Sequence, residues 1–261
     1  MYNNPIHRLR YYGLQLLLVA IVVSTASVGY SDDLPTLKSL KEEHVKSNNT
    51  QYVHNKINSF LAKGRLLRIG ADATEEQLFR IYKKKPNKYR SFHQVTVRNI
   101  ITTTENIYDG EAAISIISKN GQEVSRQKVL GDELLDIKRE AVMDGPFLIV
   151  HEEGCLTVDA FELVEGVECV RLLVDKRSQH PYEKIWLRLD NFQEAKTSQL
   201  EISADGEDQL IEFYYSEFQK TKGTIFSQRV DKKINGELVY TTIIDLFETN
   251  YGIYNSFFKA E

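Results

Sequence analysis

The stretch Asp144–Asp190 constrains this chain most, because antiparallel strands and their tight turns can be read there almost residue by residue. Leu156–Val164 is rich in β-formers, Glu165 and Gly166 make a two-residue turn with glycine where a positive φ is easily reached, and Val167–Asp175 returns. A third run, Glu183–Asp190, alternates Ile185, Leu187 and Leu189 against Trp186, Arg188 and Asp190. A strand with one apolar and one polar face belongs in a sheet that buries one side only. His151, Glu152, Glu153 and Cys155 read as the polar end of a strand next to Gly154.

The same pattern extends in both directions. Strand-like runs occupy Phe60–Ile69, Gln77–Lys83, Lys88–Val95, Thr96–Thr104 and Ala112–Ser118, and later Ala195–Ser203, Gln209–Phe218, Thr224–Asp231 and Leu238–Phe247. Turn pairs such as Asn120-Gly121, Asp205-Gly206 and Asn235-Gly236 separate them. Two regions break the pattern. Thr36 can cap a helix from Leu37 that carries Leu40 and His44 on one side, with a weaker helical stretch around Tyr52, Val53, Lys56 and Ile57. Asp132–Met143 places Leu134, Ile137 and Ala141 on one helical stripe, which predicts a helix inserted into a β protein. Nothing resembling a Pro/Gly/Ser-rich linker divides residues 32–261, so one mainly β (α+β) domain is expected there.

Residues 1–31 read as a secretory signal peptide. Arg8 and Arg10 precede an apolar run from Leu14 to Val23, and small residues follow, so that cleavage after Ala26 or after Ser31 fits equally well. An uncleaved anchor is the alternative, although the apolar run is about half of the ~20 residues a spanning helix wants. No cysteine follows the run to accept a lipid, which leaves an exported, soluble protein. Removing this segment takes away two of the 33 basic residues and none of the 37 acidic ones, so no basic domain exists to grip nucleic acid. Lys83, Lys84 and Lys85, with Lys88 and Arg90 beyond, form the one basic cluster, either a solvated turn around Pro86 or a contact for anionic headgroups.

The only cysteines are Cys155 and Cys169. A turn centred on Glu165 and Gly166 sets Glu162 opposite Cys169 and leaves Cys155 ~23 Å along the strand, against the ~7 Å that bridging allows, so two free thiols are expected. Catalytic signatures are thin. Six histidines include no metal-binding i, i+4 pair, and no HExxH, GxSxG or phosphate-cradling loop occurs. A metal or thiol site at the His151 cluster would make a hydrolase, the least favoured reading. No enzyme activity, cofactor or metal is expected.

The order of Tyr108-Asp109-Gly110 before a strand, Asp144-Gly145-Pro146 after the inserted helix, Val164 to Cys169 at the hairpin, Trp186 to Asp190 in the next strand, and Asp245 to Phe258 at the end resembles the bacterial outer-membrane lipoprotein-sorting proteins. These are similar to the periplasmic lipoprotein carrier of the Lol pathway. The chain has Glu194, Ala195 and Ser227 where that family often has proline. The resemblance implies a strongly curved antiparallel sheet, an incomplete barrel, whose concave apolar face is covered by the N-terminal and inserted helices and receives acyl chains. It implies a periplasmic binding protein or chaperone for lipoproteins or lipids moving towards the outer membrane, acting as a monomer with partner proteins in the two membranes. An envelope sensor or protein-binding domain on the same scaffold is the alternative. Candidate wall residues are Ile114, Ile116, Leu187, Leu189, Phe213, Tyr215, Ile244 and Leu246, with Leu134, Ile137 and Ala141 as the cover. Each of them also suits an ordinary core.

Overall fold

The structure is a computed structural model that describes residues 33–48, 55–70, 74–203, 206–221 and 224–260. The expected signal peptide and most of the weak helical stretch near Tyr52 lie outside the described residues. Among the described residues no helix is long and apolar enough to cross a membrane.

Thirteen strands form one antiparallel sheet: β1 (Ser59–Ile69), β2 (Thr74–Lys84), β3 (Lys88–Val97), β4 (Ile100–Tyr108), β5 (Ala113–Lys119), β6 (Gln122–Lys128), β7 (Leu156–Val164), β8 (Val167–Val174), β9 (Tyr182–Arg188), β10 (Glu194–Ile202), β11 (Asp208–Thr221), β12 (Thr224–Ile234) and β13 (Glu237–Thr249). Their spatial order is β6-β5-β4-β3-β2-β1-β13-β12-β11-β10-β9-β8-β7, and among the described residues β6 and β7 are the two edges. The sheet is therefore an open half-barrel made of two meanders joined at a β1–β13 seam. Having walked out to the β6 edge, the chain must reach the opposite edge at β7. It does so over one face of the sheet through α2 (Gly131–Ala141) and α3 (Pro146–Glu152). Topology thus dictates that this inner face carries the inserted helices.

Irregularities bend the sheet. The register shifts between Lys63 and Gly64 on β1, between Lys232 and Lys233 on β12, and twice on the β9–β10 pair. Each extra residue increases local twist and curls the strand. At Gly64 a Cβ would sit 1.9 Å from the Ile243 carbonyl oxygen, so only glycine lets β13 approach there.

Two cores flank the seam on the inner face. On one side, α1 (Leu37–Ser47) and α3 bring Leu40, Phe147 and Val150 against Val170, Leu172, Ile185 and Leu187 of β8 and β9. Thr36 caps α1 as expected, accepting the Ser39 N–H at 3.1 Å. On the other side, Leu134, Ile137 and Ala141 of α2 pack on Tyr89, Tyr108 and Ala113. The predicted stripe of α2 is the buried one.

Three local readings need correction. His151 and Glu152 lie on α3, a helix that Pro146 opens at its first turn, and not at a strand end. Strand β6 is polar apart from the exposed Val124 and lies at an edge, so it carries no alternation to read. The β3–β4 connection is Arg98-Asn99, both at positive φ, a tight turn without glycine. Around Asp175, in contrast, the β7–β8 hairpin matches its expected limits, and Glu162 does pair with Cys169. Both cysteines are free and buried.

Candidate binding cleft

Directly opposed residues of an antiparallel pair share a face, so the register defines the floor of the sheet's middle. Leu66 faces Thr242, Thr242 faces Val230, Val230 faces Tyr215, and in the next row Tyr240 faces Lys232 and Lys232 faces Phe213. Among the described residues no helical core covers this stretch of β1, β13, β12 and β11. Instead a cleft of about 630 Å³ opens above it, roofed by Arg139 and Glu140 of α2, by Val142 and Asp144, and by Pro146 and Ile149 of α3, with His180 and Tyr182 at one side. Such a volume falls within the ~300–1,000 Å³ of small-molecule sites. A chamber of about 290 Å³ adjoins it past Tyr215 and Val230, towards Phe218 and Phe226. Another of about 640 Å³ shares Phe213, Tyr215 and Lys232 and reaches Gln199.

The polar groups of the cleft are held in place. The Tyr215 hydroxyl and the Thr197 hydroxyl lie 3.1 Å apart, and burial pushes the Tyr215 phenol above its ordinary pKa. Burial, together with the charges of Glu140 and Glu194, pushes Tyr182 up to about 12. Lys83, on β2, donates to the Val142 carbonyl at 3.0 Å and lies over the Phe60 ring, and burial lowers its pKa. Burial likewise lowers the pKa of His180, whose ring stacks on Tyr182. Arg139 is tied to Asp136 at 2.9 Å and to the Gln179 carbonyl at 2.8 Å, which fixes the 175–181 loop to α2. Protonated phenols and a poorly hydrated lysine describe a largely apolar site with a few hydrogen-bond donors.

Of the wall residues named from sequence, Phe213 and Tyr215 line the cleft. Ile244 lies on the inner face opposite Gly64, next to it. Leu187 is fully buried under α1 and α3 and Leu189 packs against the same cluster, so both are core. Leu134 and Ile137 hold α2 down as cover.

Ile114 and Ile116 lie on the outer face. Ile114 shares a row with Ile107, Arg90 and Tyr82, while Ala113 and Ser115 point inward. The outer face here is apolar because the C-terminal segment covers it: Phe257 meets Arg90 and Tyr82, and Ala260 packs on Ile107, Ile114 and Ile116. Leu246 lies opposite Lys63, past the bulge that flips β13, and is half-exposed on that same outer side.

The basic cluster is likewise divided: Lys83 points inward, Lys84 donates to the Ile253 carbonyl at 2.6 Å, and Arg90 donates to the Phe257 carbonyl at 2.6 Å. Sequence reasoning missed Leu66, Val230, Lys232 and Tyr240. Their signal was the period-two spacing of Val230 and Lys232, which a search for apolar residues alone passes over.

No protein-family model matches the sequence, and no curated protein matches it significantly. Solved structures do match. A DUF1329 family protein from Desulfovibrio piger is 11% identical, with 87% of this chain and 98% of that chain covered at a TM-score of 0.56. An outer membrane lipoprotein-sorting protein domain from Vibrio parahaemolyticus is 7% identical over 85% and 97% of the two chains, at 0.56. A LolA superfamily protein from Nitrosomonas europaea is 14% identical over 87% and 98%, at 0.54. The chain therefore has the fold of the lipoprotein-sorting, LolA-like proteins: an open antiparallel half-barrel with helices across its inner face.

Proposed function

We propose that this protein is a periplasmic carrier or chaperone that shields the acyl chains of lipoproteins or lipids in the inner-face cleft, binding its cargo without transforming it. The observation that carries this reading is the gap between the two cores. The sheet is sealed by helices on both flanks, yet over the seam it leaves about 630 Å³ lined by Leu66, Val142, Ile149, Phe213, Val230 and Tyr240. An anchor crossing an aqueous compartment exposes methylenes that each favour burial by ~0.8 kcal/mol. A preformed groove with aromatic walls provides that burial with little reorganisation. The fold shared with a lipoprotein-sorting domain supports the same reading.

The test is native mass spectrometry, with organic extraction, of the protein recovered from a periplasmic fraction. Co-purified phospholipid or acylated peptide is the expected result. An apo mass that does not change on incubation with acylated peptide would sink the carrier reading and favour a protein-binding domain on this scaffold.

A further inference from the structure

The charged groups that face the cleft are Lys83 from β2, Arg139 and Glu140 from α2, Asp144 from the α2–α3 link, His180 from the loop before β9, and Lys232 from β12. Most have an electrostatic counterpart. Arg139 pairs with Asp136, His180 lies 3.9 Å from Glu153, and the charge of Glu140 acts on Lys83. Lys232 differs. Its side chain is on the inner face, its ammonium lies 5.6 Å from the centroid of the Phe213 ring, and no carboxylate among the described residues forms an ion pair with it. Its strand neighbour Lys233, on the opposite face, has Glu165 at 3.1 Å. Lys232 also lies where the 630 Å³ cleft meets the 640 Å³ chamber, whose lining includes Asp136, Arg139, Gln199 and Glu201, so a head group would lie at that border with its acyl chains towards the cleft.

A cation held over an aromatic wall, with no acid of its own, is complementary to an anion brought in by the ligand. Resting on the carrier reading above, we infer that the cargo is an acidic amphiphile, an anionic phospholipid, whose head group is paired with Lys232 while its acyl chains enter the 630 Å³ cleft. Lys232 then selects acidic over zwitterionic lipids.

The experiment compares binding of pyrene-labelled phosphatidylglycerol and phosphatidylcholine of identical chains by the full protein and by its Lys232→Gln and Lys232→Arg variants. Phosphatidylglycerol is expected to bind about tenfold tighter than phosphatidylcholine, the size of one charge-assisted hydrogen bond. In Lys232→Gln that ratio falls to about one, and in Lys232→Arg it is kept. Equal affinities in the unaltered protein, or a preference that survives Lys232→Gln, overturn the head-group assignment while leaving the carrier reading intact. Failure to bind either lipid overturns the phospholipid assignment, and failure to bind acylated peptide as well overturns the carrier reading. Displacement of bound phosphatidylglycerol by inorganic phosphate alone would make the site one for a small anion and overturn the lipid assignment.

Discussion

Glu194 on β10 reaches the start of α3, where its Oε1 accepts the Phe147 N–H at 3.3 Å and lies 2.5 Å from the position a Cβ on Gly145 would occupy. The first turn of a helix leaves N–H groups without partners and carries partial positive charge, so a carboxylate there both satisfies and attracts. The fit is tight enough that Gly145→Ala must displace Glu194. That substitution is expected to cost about 1–3 kcal/mol in denaturant titration, and combining it with Glu194→Ala should recover part of the loss. A Gly145→Ala protein as stable as the original would remove the constraint.

Core and wall separate by mutation. Leu187→Ala, in the sealed flank, is expected to lose about 2–5 kcal/mol of stability, with acyl-probe affinity within twofold of the original. Phe213→Ala, on the cleft floor, should lose less stability and about tenfold in affinity. Ile116→Ala, on the outer face, should behave as Leu187→Ala does, at smaller cost. Paired chemical denaturation and probe titration distinguish the three, and a loss of affinity in Ile116→Ala would contradict the face assignment.

Acidification has a defined sign. Burial, first among the causes, holds His93, His151 and His180 below the ordinary 6.5, so between that value and their folded values the unfolded chain binds more protons. The stability associated with neutral histidines is complete above about pH 6.5 and declines as pH falls towards the folded values. The thermal midpoint should therefore drop on going from pH 7 to pH 5.5, and replacing His93 and His180 by glutamine should flatten that slope. An unchanged slope would exclude these groups as its origin.

Burial pushes the Cys169 thiol up to about 11, and both thiols are buried, Cys169 on β8 and Cys155 just before β7, too far along the hairpin to bridge. Intact-mass measurement after native iodoacetamide treatment should show no adduct, and after unfolding two adducts. A protein two mass units lighter that gains no adduct on unfolding would reveal a disulfide and a different hairpin.

On the outer face Lys196 and Glu212 form a pair at 2.5 Å with both side chains mostly buried, and the ammonium lies over Trp186 and Tyr214 at 4.5 and 5.0 Å from their centroids. Removing one partner strands a poorly solvated charge, so Glu212→Ala is expected to cost about 3 kcal/mol, whereas the double change to apolar residues of similar size should cost far less. A thermal-shift cycle over the two sites measures the coupling, and simple additivity would refute it.

Most of the sheet was legible because its hairpins carry glycine turns and its strands alternate. The α2 stripe was legible because three apolar residues recur at helical spacing. Alternation alone could not reveal which face looks inward. On β5 the apolar residues Ile114 and Ile116 point outward, because the C-terminal residues around Phe258 cover that side, while the inward positions are Ala113 and Ser115. The same ambiguity hid Trp186, whose outer side is buried with Val164 and Cys169. Helix α3 was missed because Phe147–Val150 is too short an apolar run to show a period, leaving Pro146 as its one local mark. Lys232 was missed because a search for acyl-chain contacts looks for apolar residues, and a charged group over an aromatic floor does not announce itself by hydropathy.

The β1–β13 seam joins residues such as Phe60 and Thr249, nearly a whole described chain apart, whereas every other strand pairs with its neighbour in sequence. Each meander can gather its own core locally, but the floor of the cleft exists only once the two meet, and β13 follows the other twelve strands in the chain. Contacts of such long range are the slowest to form. Until the seam closes there are two half-sheets and no cleft, so a ligand can be held there only after the long-range pairing has formed.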